Sequence, residues 1–363
     1  MVLSGYGASG PVVEELLAYN ANEFDAELLE NPPKLPLGNE DHLKTWRTYA
    51  EEAAGQGVVE ALSHRLVQLR FPIEEGVSGT DRYRGVTLRG ELPPQEGGPD
   101  FTGERISLLL NETQAGAIPV LEIESRADFE TLVRALSHRN EPRPVPDSMG
   151  ACIISGLNNW DRIREHRRKF EASGAQGSWD AEFKRMIPDK GKYQDRLILL
   201  SSGPYSAVPA SAMGLSEPEW LEKSMIIRRE HECAHYFTLR VLGKMRNNLI
   251  DELIADYVGL VAAFGKYRGE HARLFLGLDA HPRVQPGGRV ENYRGDPALG
   301  DEAFDVVKRL MLDAIAQLEA FNAAAPERFR EPEAVAKTIL ALAARTLEEL
   351  ARPEAQAELL EAV

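Results

Sequence analysis

The chain has 363 residues, with 57 acidic against 42 basic side chains and a formal charge of -15. That balance repels phosphate backbones and anionic lipid, so neither nucleic acid nor membrane is expected as partner. A content of 43% hydrophobic and 27% charged residues belongs to a folded globular chain with ample core, and the best apolar run, 253–264, is broken by Asp256 and too short to span a bilayer.

In chain order, apolar periodicity predicts helices over 11–30, 40–54 and 58–69, the last with Leu62, Leu66 and Leu69 on one face. Gly5, Gly7 and Gly10, with Asp25 downstream, match the spacing of a dinucleotide-binding fingerprint. Too few residues precede them for the strand that motif requires, and a flexible start is the better account. Residues 71–100, rich in Gly, Pro and charge, read as loops with a short hairpin. Strand-like runs follow at 106–110 and 118–123, then a helix over 127–138 capped by Ser125. The proline-rich segment 140–146 is the clearest linker. It divides the chain into residues 1–145, a mixed region of unassigned role, and residues 146–363. Past it come a buried strand at 151–154, a helix at 158–170 and a strand at 196–200. Two cysteines, Cys152 and Cys233, make no disulfide framework. With no basic-then-apolar leader in the first twenty residues, a cytoplasmic location is expected.

Residues 215–220 then carry a helix start: Ser216 as cap, Glu217 and Glu219 in the first turn, and Pro218 where no amide donor is missed. Neither Gly nor Pro follows until Gly243, which predicts a helix of about 25 residues. Inside it lies His231-Glu232-Cys233-Ala234-His235, the pattern H-E-x-x-H. Imidazoles at i and i+4 share a helix face and close on one metal ion, and the intervening glutamate reaches a water on that metal. Glu222, Arg229 and Arg240 mark the opposite edge, so both histidines face inward, with Arg228 on the same stripe and Cys233 turned away as a small core residue. A second helix begins after the polar break 244–248. Its apolar stripe runs through Leu249, Leu253, Tyr257 and Val261, with Glu252 and Asp256 at the margin. Carboxylates placed there need a partner or a metal. The plainer alternatives are an interior histidine pair hydrogen-bonded to acids without metal, and acids on a solvated edge beside Arg246 or Lys266. Further on, a short helix is predicted at 270–276, a Gly/Pro loop at 281–299, and helices at 301–322 and 332–351. The segment 279–300 is long enough for a lid or is a surface crossing. His271 and His281 are reserve ligands or transition-state donors, or lone surface histidines.

H-E-x-x-H followed by Glu252-Leu253-Ile254-Ala255-Asp256, over residues 216–259, resembles the gluzincins, a group of zinc metallopeptidases. The resemblance implies an α+β, zincin-like catalytic domain with a small sheet and an active-site helix. A largely helical C-terminal part would follow it, and a mixed α/β region precede it. It implies one zinc per chain on His231, His235 and Glu252, with Asp256 orienting a ligating histidine and Glu232 as general base. It also implies an edge strand for substrate before the motif helix, for which 196–201 is the candidate. The expected activity is that of a metallopeptidase or related amide hydrolase acting on a peptide or small amide. Tyr205, Arg228 and His271 are candidate donors to substrate or oxyanion; Tyr236 and Tyr257 are turned away from the metal faces. The same ligands suit Fe(II) in a non-haem oxygenase. A binding protein with a silent metal site is the third reading, and a di-iron bundle is disfavoured by the single E-x-x-H. No oligomeric state follows from the sequence.

Overall fold

A computed structural model of the protein describes residues 2–95, 97–174, 176–245, 248–278, 288–326 and 331–363. The chain falls into two units: Met1–Leu37, Thr113–Ala115 and Pro204–Val363 form the first, Gly38–Glu112 and Gly116–Gly203 the second. The expected division at 145/146 does not coincide with them, because the proline-rich segment lies wholly inside the second unit. Its backbone is tied down there. Asn140 is fully buried and its amide donates to the carbonyls of Gln68 (3.0 Å) and Phe71 (2.9 Å), while the Glu141 carboxylate accepts from the amides of Gly76 and Ser78.

The second unit holds a mixed sheet of β1 (Ile106–Asn111), β2 (Ile118–Ile123), β3 (Ala151–Asn158) and β4 (Gln194–Ser201), in the order β1-β2-β4-β3. β4 runs parallel to β2 and antiparallel to β3. It is therefore interior to the sheet, which corrects the expectation of a substrate-pairing edge strand at 196–201. The reason is legible in its side chains: Leu197, Ile198, Leu199 and Leu200 are all fully buried, and an apolar run without alternation suits a strand covered on both faces. The helix Arg126–Leu136, capped by Ser125 as expected, lays Phe129, Leu132 and Val133 into a core shared with Trp46, Leu62, Leu66, Leu121 and Leu199. Fully buried Asp195 in this unit accepts from Trp46 Nε1 (2.8 Å) and Asn159 Nδ2 (2.7 Å) and pairs with Arg162.

Residues 71–100 depart from expectation. Among the described residues they contain no hairpin but a helix, Asp81–Arg89, whose first turn is capped when Thr80 Oγ1 accepts from the Tyr83 amide. That helix buries Tyr83 and Val86 against Phe71 and Trp160. A second unexpected helix, Trp179–Met186, is capped by Ser178.

In the first unit the predicted helix 11–30 is two pieces, Pro11–Tyr19 and Ala26–Glu30. Asn22 and Asp25 break it by offering side-chain acceptors to nearby amides, Phe24 for the former, Glu27 and Leu28 for the latter. Asp25 is thus a helix cap, and a short helix, Val2–Gly5, rather than a strand precedes the remaining glycines. The motif helix α1 (Glu217–Val241) starts on a Ser216/Glu219 capping box, and α2 is Asn248–Phe264. A Cβ at Gly259 would sit 2.8 Å from the Ile227 carbonyl oxygen, so glycine is what lets α2 close on α1. Beyond lie α3 (Gly269–Leu276), α4 (Asp301–Ala324) and the helices Pro332–Ala343, Leu347–Leu350 and Ala355–Ala362. The protein is α+β, but the four described strands belong to one unit and the motif helix to the other. Among the described residues no helix is long and apolar enough to cross a membrane.

Candidate metal centre

One turn apart on α1, His231 and His235 are buried, at 7% and 5% exposure. Their Nε2 atoms lie 3.1 Å from each other. From α2, Glu252 brings Oε2 to 3.6 Å from His231 Nε2 and Oε1 to 3.7 Å from His235 Nε2. Zinc bonds of about 2.0–2.1 Å set edges of about 3.3–3.4 Å in a tetrahedral site. The three side chains form a triangle of that scale, and this His-His-Glu cluster could bind a metal ion.

The remote ring nitrogens are also assigned. His231 Nδ1 lies 3.0 Å from Asp256 Oδ1, and His235 Nδ1 lies 2.8 Å from Asp251 Oδ2. A carboxylate at Nδ1 holds the proton there and leaves the Nε2 lone pair for a metal. Asp256 takes the place the sequence led us to expect. Asp251 was not singled out, although the signal was present: two candidate ligand histidines call for two orienting acids, and Asp251 adjoins Glu252. Burial alone would lower the pKa of the His235 imidazole, but the carboxylates of Asp251, then Glu252 and Glu232, push it up to about 10. Burial would likewise raise the Asp256 carboxyl, yet the Arg289 guanidinium and then His231 hold it well below the usual carboxylate range. Glu232, next to His231 and three residues before His235 on α1, is only 8% exposed and is near enough to act on His235 electrostatically.

A model of a family of unknown function (DUF7005) matches residues 1–354. The chain belongs to DUF7005. No curated protein and no solved structure matches it. The family match spans both units and so includes the His-His-Glu cluster of this DUF7005 member as well as its sheet.

Two further residues complete the site from the segment predicted at 279–300. Its first part, with His281, lies outside the described residues. Its second part forms a 3-10 turn, Arg289–Tyr293. Arg289 pairs with Asp256 and donates through Nη1 to Tyr205 Oη at 2.8 Å, while Tyr293 Oη donates to Glu252 Oε2 at 2.9 Å. No periodicity marks either residue in the sequence.

The candidate donors are placed as follows. Tyr205 Oη donates to Asp256 Oδ1 (2.7 Å) and lies 3.2 Å from His231 Nδ1, behind the ring and away from Nε2. Arg228 donates to the Pro204 carbonyl at 2.8 Å, its guanidinium over the Tyr205 ring. His271 packs its ring against Phe264 and Phe275, with Nε2 3.7 Å from Glu270. Tyr205 therefore joins the site as a group that orients Asp256.

Proposed function

We propose that this chain is a zinc-dependent metallopeptidase or related amide hydrolase, with α1 and α2 forming the ligand-bearing part of a zincin-like, gluzincin-type site. One observation carries the reading: two buried imidazoles and a carboxylate converge at metal-binding spacing, and each imidazole is backed by its own aspartate. A histidine pair that merely filled a core would not need its Nε2 atoms turned towards a third acid.

His231, His235 and Glu252 would hold the ion. When bound, it supplies a Lewis acid that acidifies water near neutral pH and polarises a carbonyl. Glu232 is the group of this chain suited to accept a proton and return it to a departing nitrogen, as general base and then general acid. Asp251 and Asp256 keep both imidazoles in one tautomer and orientation, so that the ligand atoms do not have to be reorganised for each turnover. The substrate class proposed is a peptide or small amide. The cytoplasm is its proposed location, in keeping with Cys152 and Cys233 not being joined in a disulfide.

The test is elemental analysis of purified protein alongside His235→Ala and Glu252→Ala, followed by a peptide-library screen with Glu232→Gln as control. About one zinc per chain, lost in both variants, with cleavage abolished by Glu232→Gln, is the expected result. Iron in place of zinc would move the reading to the oxygenase alternative. Zinc with no turnover on any peptide or amide would favour the binding protein with a silent site.

A further inference from the structure

The turn Arg289–Tyr293 meets α2 in a matched way. Its first and last residues are four apart, and so are the two carboxylates they engage. Arg289 pairs with Asp256, the acid behind His231, and Tyr293 donates to Glu252 Oε2, the oxygen that faces His231 Nε2. The Arg289 side chain is 12% exposed and its guanidinium also spans the rings of Tyr205 and Tyr293. A single short turn thus grips the two acids of α2 that face His231, Glu252 and Asp256.

That turn is in turn held from outside the site. Tyr19, the last residue of the helix Pro11–Tyr19, is buried and donates its hydroxyl to the Tyr293 carbonyl. Gly295, with φ at 85°, lets the chain pass against the Tyr19 ring, because a Cβ there would lie 3.1 Å from two ring carbons. Four residues before Tyr19, the Glu15 carboxylate accepts from the Gly300 amide at 2.7 Å. The N-terminal helix therefore fastens the segment 293–300 at both ends.

Resting on the metal reading above, we infer that Tyr293 is a positioning residue for the metal ligand Glu252, and that the N-terminal helix, acting through Tyr19, sets how firmly Tyr293 does so. A free Glu252 carboxylate rotates about its last torsion and presents either oxygen. One oxygen fixed by a phenol hydroxyl gives the carboxylate a preferred pose, so less ordering is left for the ion to impose. Tyr19 reaches the turn through its hydrogen bond to the Tyr293 carbonyl, so the effect proposed for it passes through Tyr293 and depends on the Tyr293 hydroxyl.

That dependence is measurable. Zinc affinity is read by competition with a chromophoric chelator, and ligand geometry by the absorption bands of bound cobalt(II), for the full chain and for Tyr293→Phe, Tyr19→Phe and the double variant. Tyr293→Phe should lower zinc affinity about tenfold and shift the cobalt bands. Tyr19→Phe should lower it about threefold, and that loss should vanish in the Tyr293→Phe background. Each change removes one oxygen and keeps the ring; circular dichroism of the metal-free proteins checks the fold. Should Tyr293→Phe not fold, Tyr19→Phe decides alone, and an unchanged affinity and cobalt spectrum there would overturn the inference. Wild-type affinity in Tyr293→Phe, or a Tyr19→Phe loss that persists without the Tyr293 hydroxyl, would overturn it while leaving the metal reading intact. A wild-type chain that binds neither zinc nor cobalt would overturn both.

Discussion

Asp251 holds His235 from behind the metal face. One carboxylate oxygen lies 2.8 Å from His235 Nδ1, and the other accepts from Thr238 Oγ1 at 3.0 Å, in a side chain with no solvent exposure. Both oxygens are thus aligned by α1 itself: Thr238 lies one turn past His235 and orients the acid that orients the ligand. Replacing Asp251 by Ala should lower zinc affinity about 10–100-fold, the usual cost of losing such a partner. Thr238→Val should have a smaller effect in the same direction. Chelator competition on the two variants checks the order.

Metal binding should also register as stability. A ligand that binds only the folded chain stabilises it by about 2.7 kcal/mol when present at a hundred times its Kd. Zinc added to chelator-treated protein should therefore raise the melting temperature of the transition that reports on the first unit. In His235→Ala the same addition should leave it unchanged. A rise of equal size in that variant would place the binding elsewhere.

Helical periodicity made the His-His-Glu cluster legible. A spacing of four residues on a continuous helix puts His231 above His235, and the stripe of α2 puts Glu252 above Asp256, before any tertiary information is needed. Arg289 and Tyr293 were not legible, because a loop has no period and their pairing with acids 33 and 41 residues away is set by how the chain returns. Composition misled in two places. Proline in 140–146 signals an irregular backbone but not where that backbone's hydrogen bonds go, and Asn140 satisfies them inside the second unit. The polar run Asp81–Arg89 hides a helix whose buried residues are Tyr83, Gly85, Val86 and Thr87. The central position of β4 could have been read from its unbroken apolar run.

Gly259 sets the approach of α1 and α2, the two helices that carry the His-His-Glu cluster. Adding a methyl group there places it 2.8 Å from the Ile227 carbonyl oxygen and 3.1 Å from the Ile227 Cγ2, and the first of these contacts is backbone that cannot rotate aside. Gly259→Ala should destabilise the protein by about 1–3 kcal/mol through overpacking, despite the better helix propensity of alanine. It should also weaken zinc binding, since Glu252 approaches the histidines only as far as α2 approaches α1. Melting and metal competition measured on one preparation separate the two effects.

The second unit offers a test of its own. Asp195 is fully buried, and Arg162, with 7% of its side chain exposed, is the cation against it. Trp46 and Asn159 donate to the same carboxylate, but neutral donors do not cancel a charge. Arg162→Ala would leave that charge uncompensated in the interior, at a cost of about 3–5 kcal/mol. Restoring neutrality in Arg162→Ala/Asp195→Asn should recover part of the loss, because the asparagine amide can still accept from Trp46 Nε1. Denaturant unfolding of the single and double variants checks this. A double variant no more stable than the single one would show that Arg162 acts through its bonds to the Gln194 and Gly191 carbonyls rather than through the charge of Asp195.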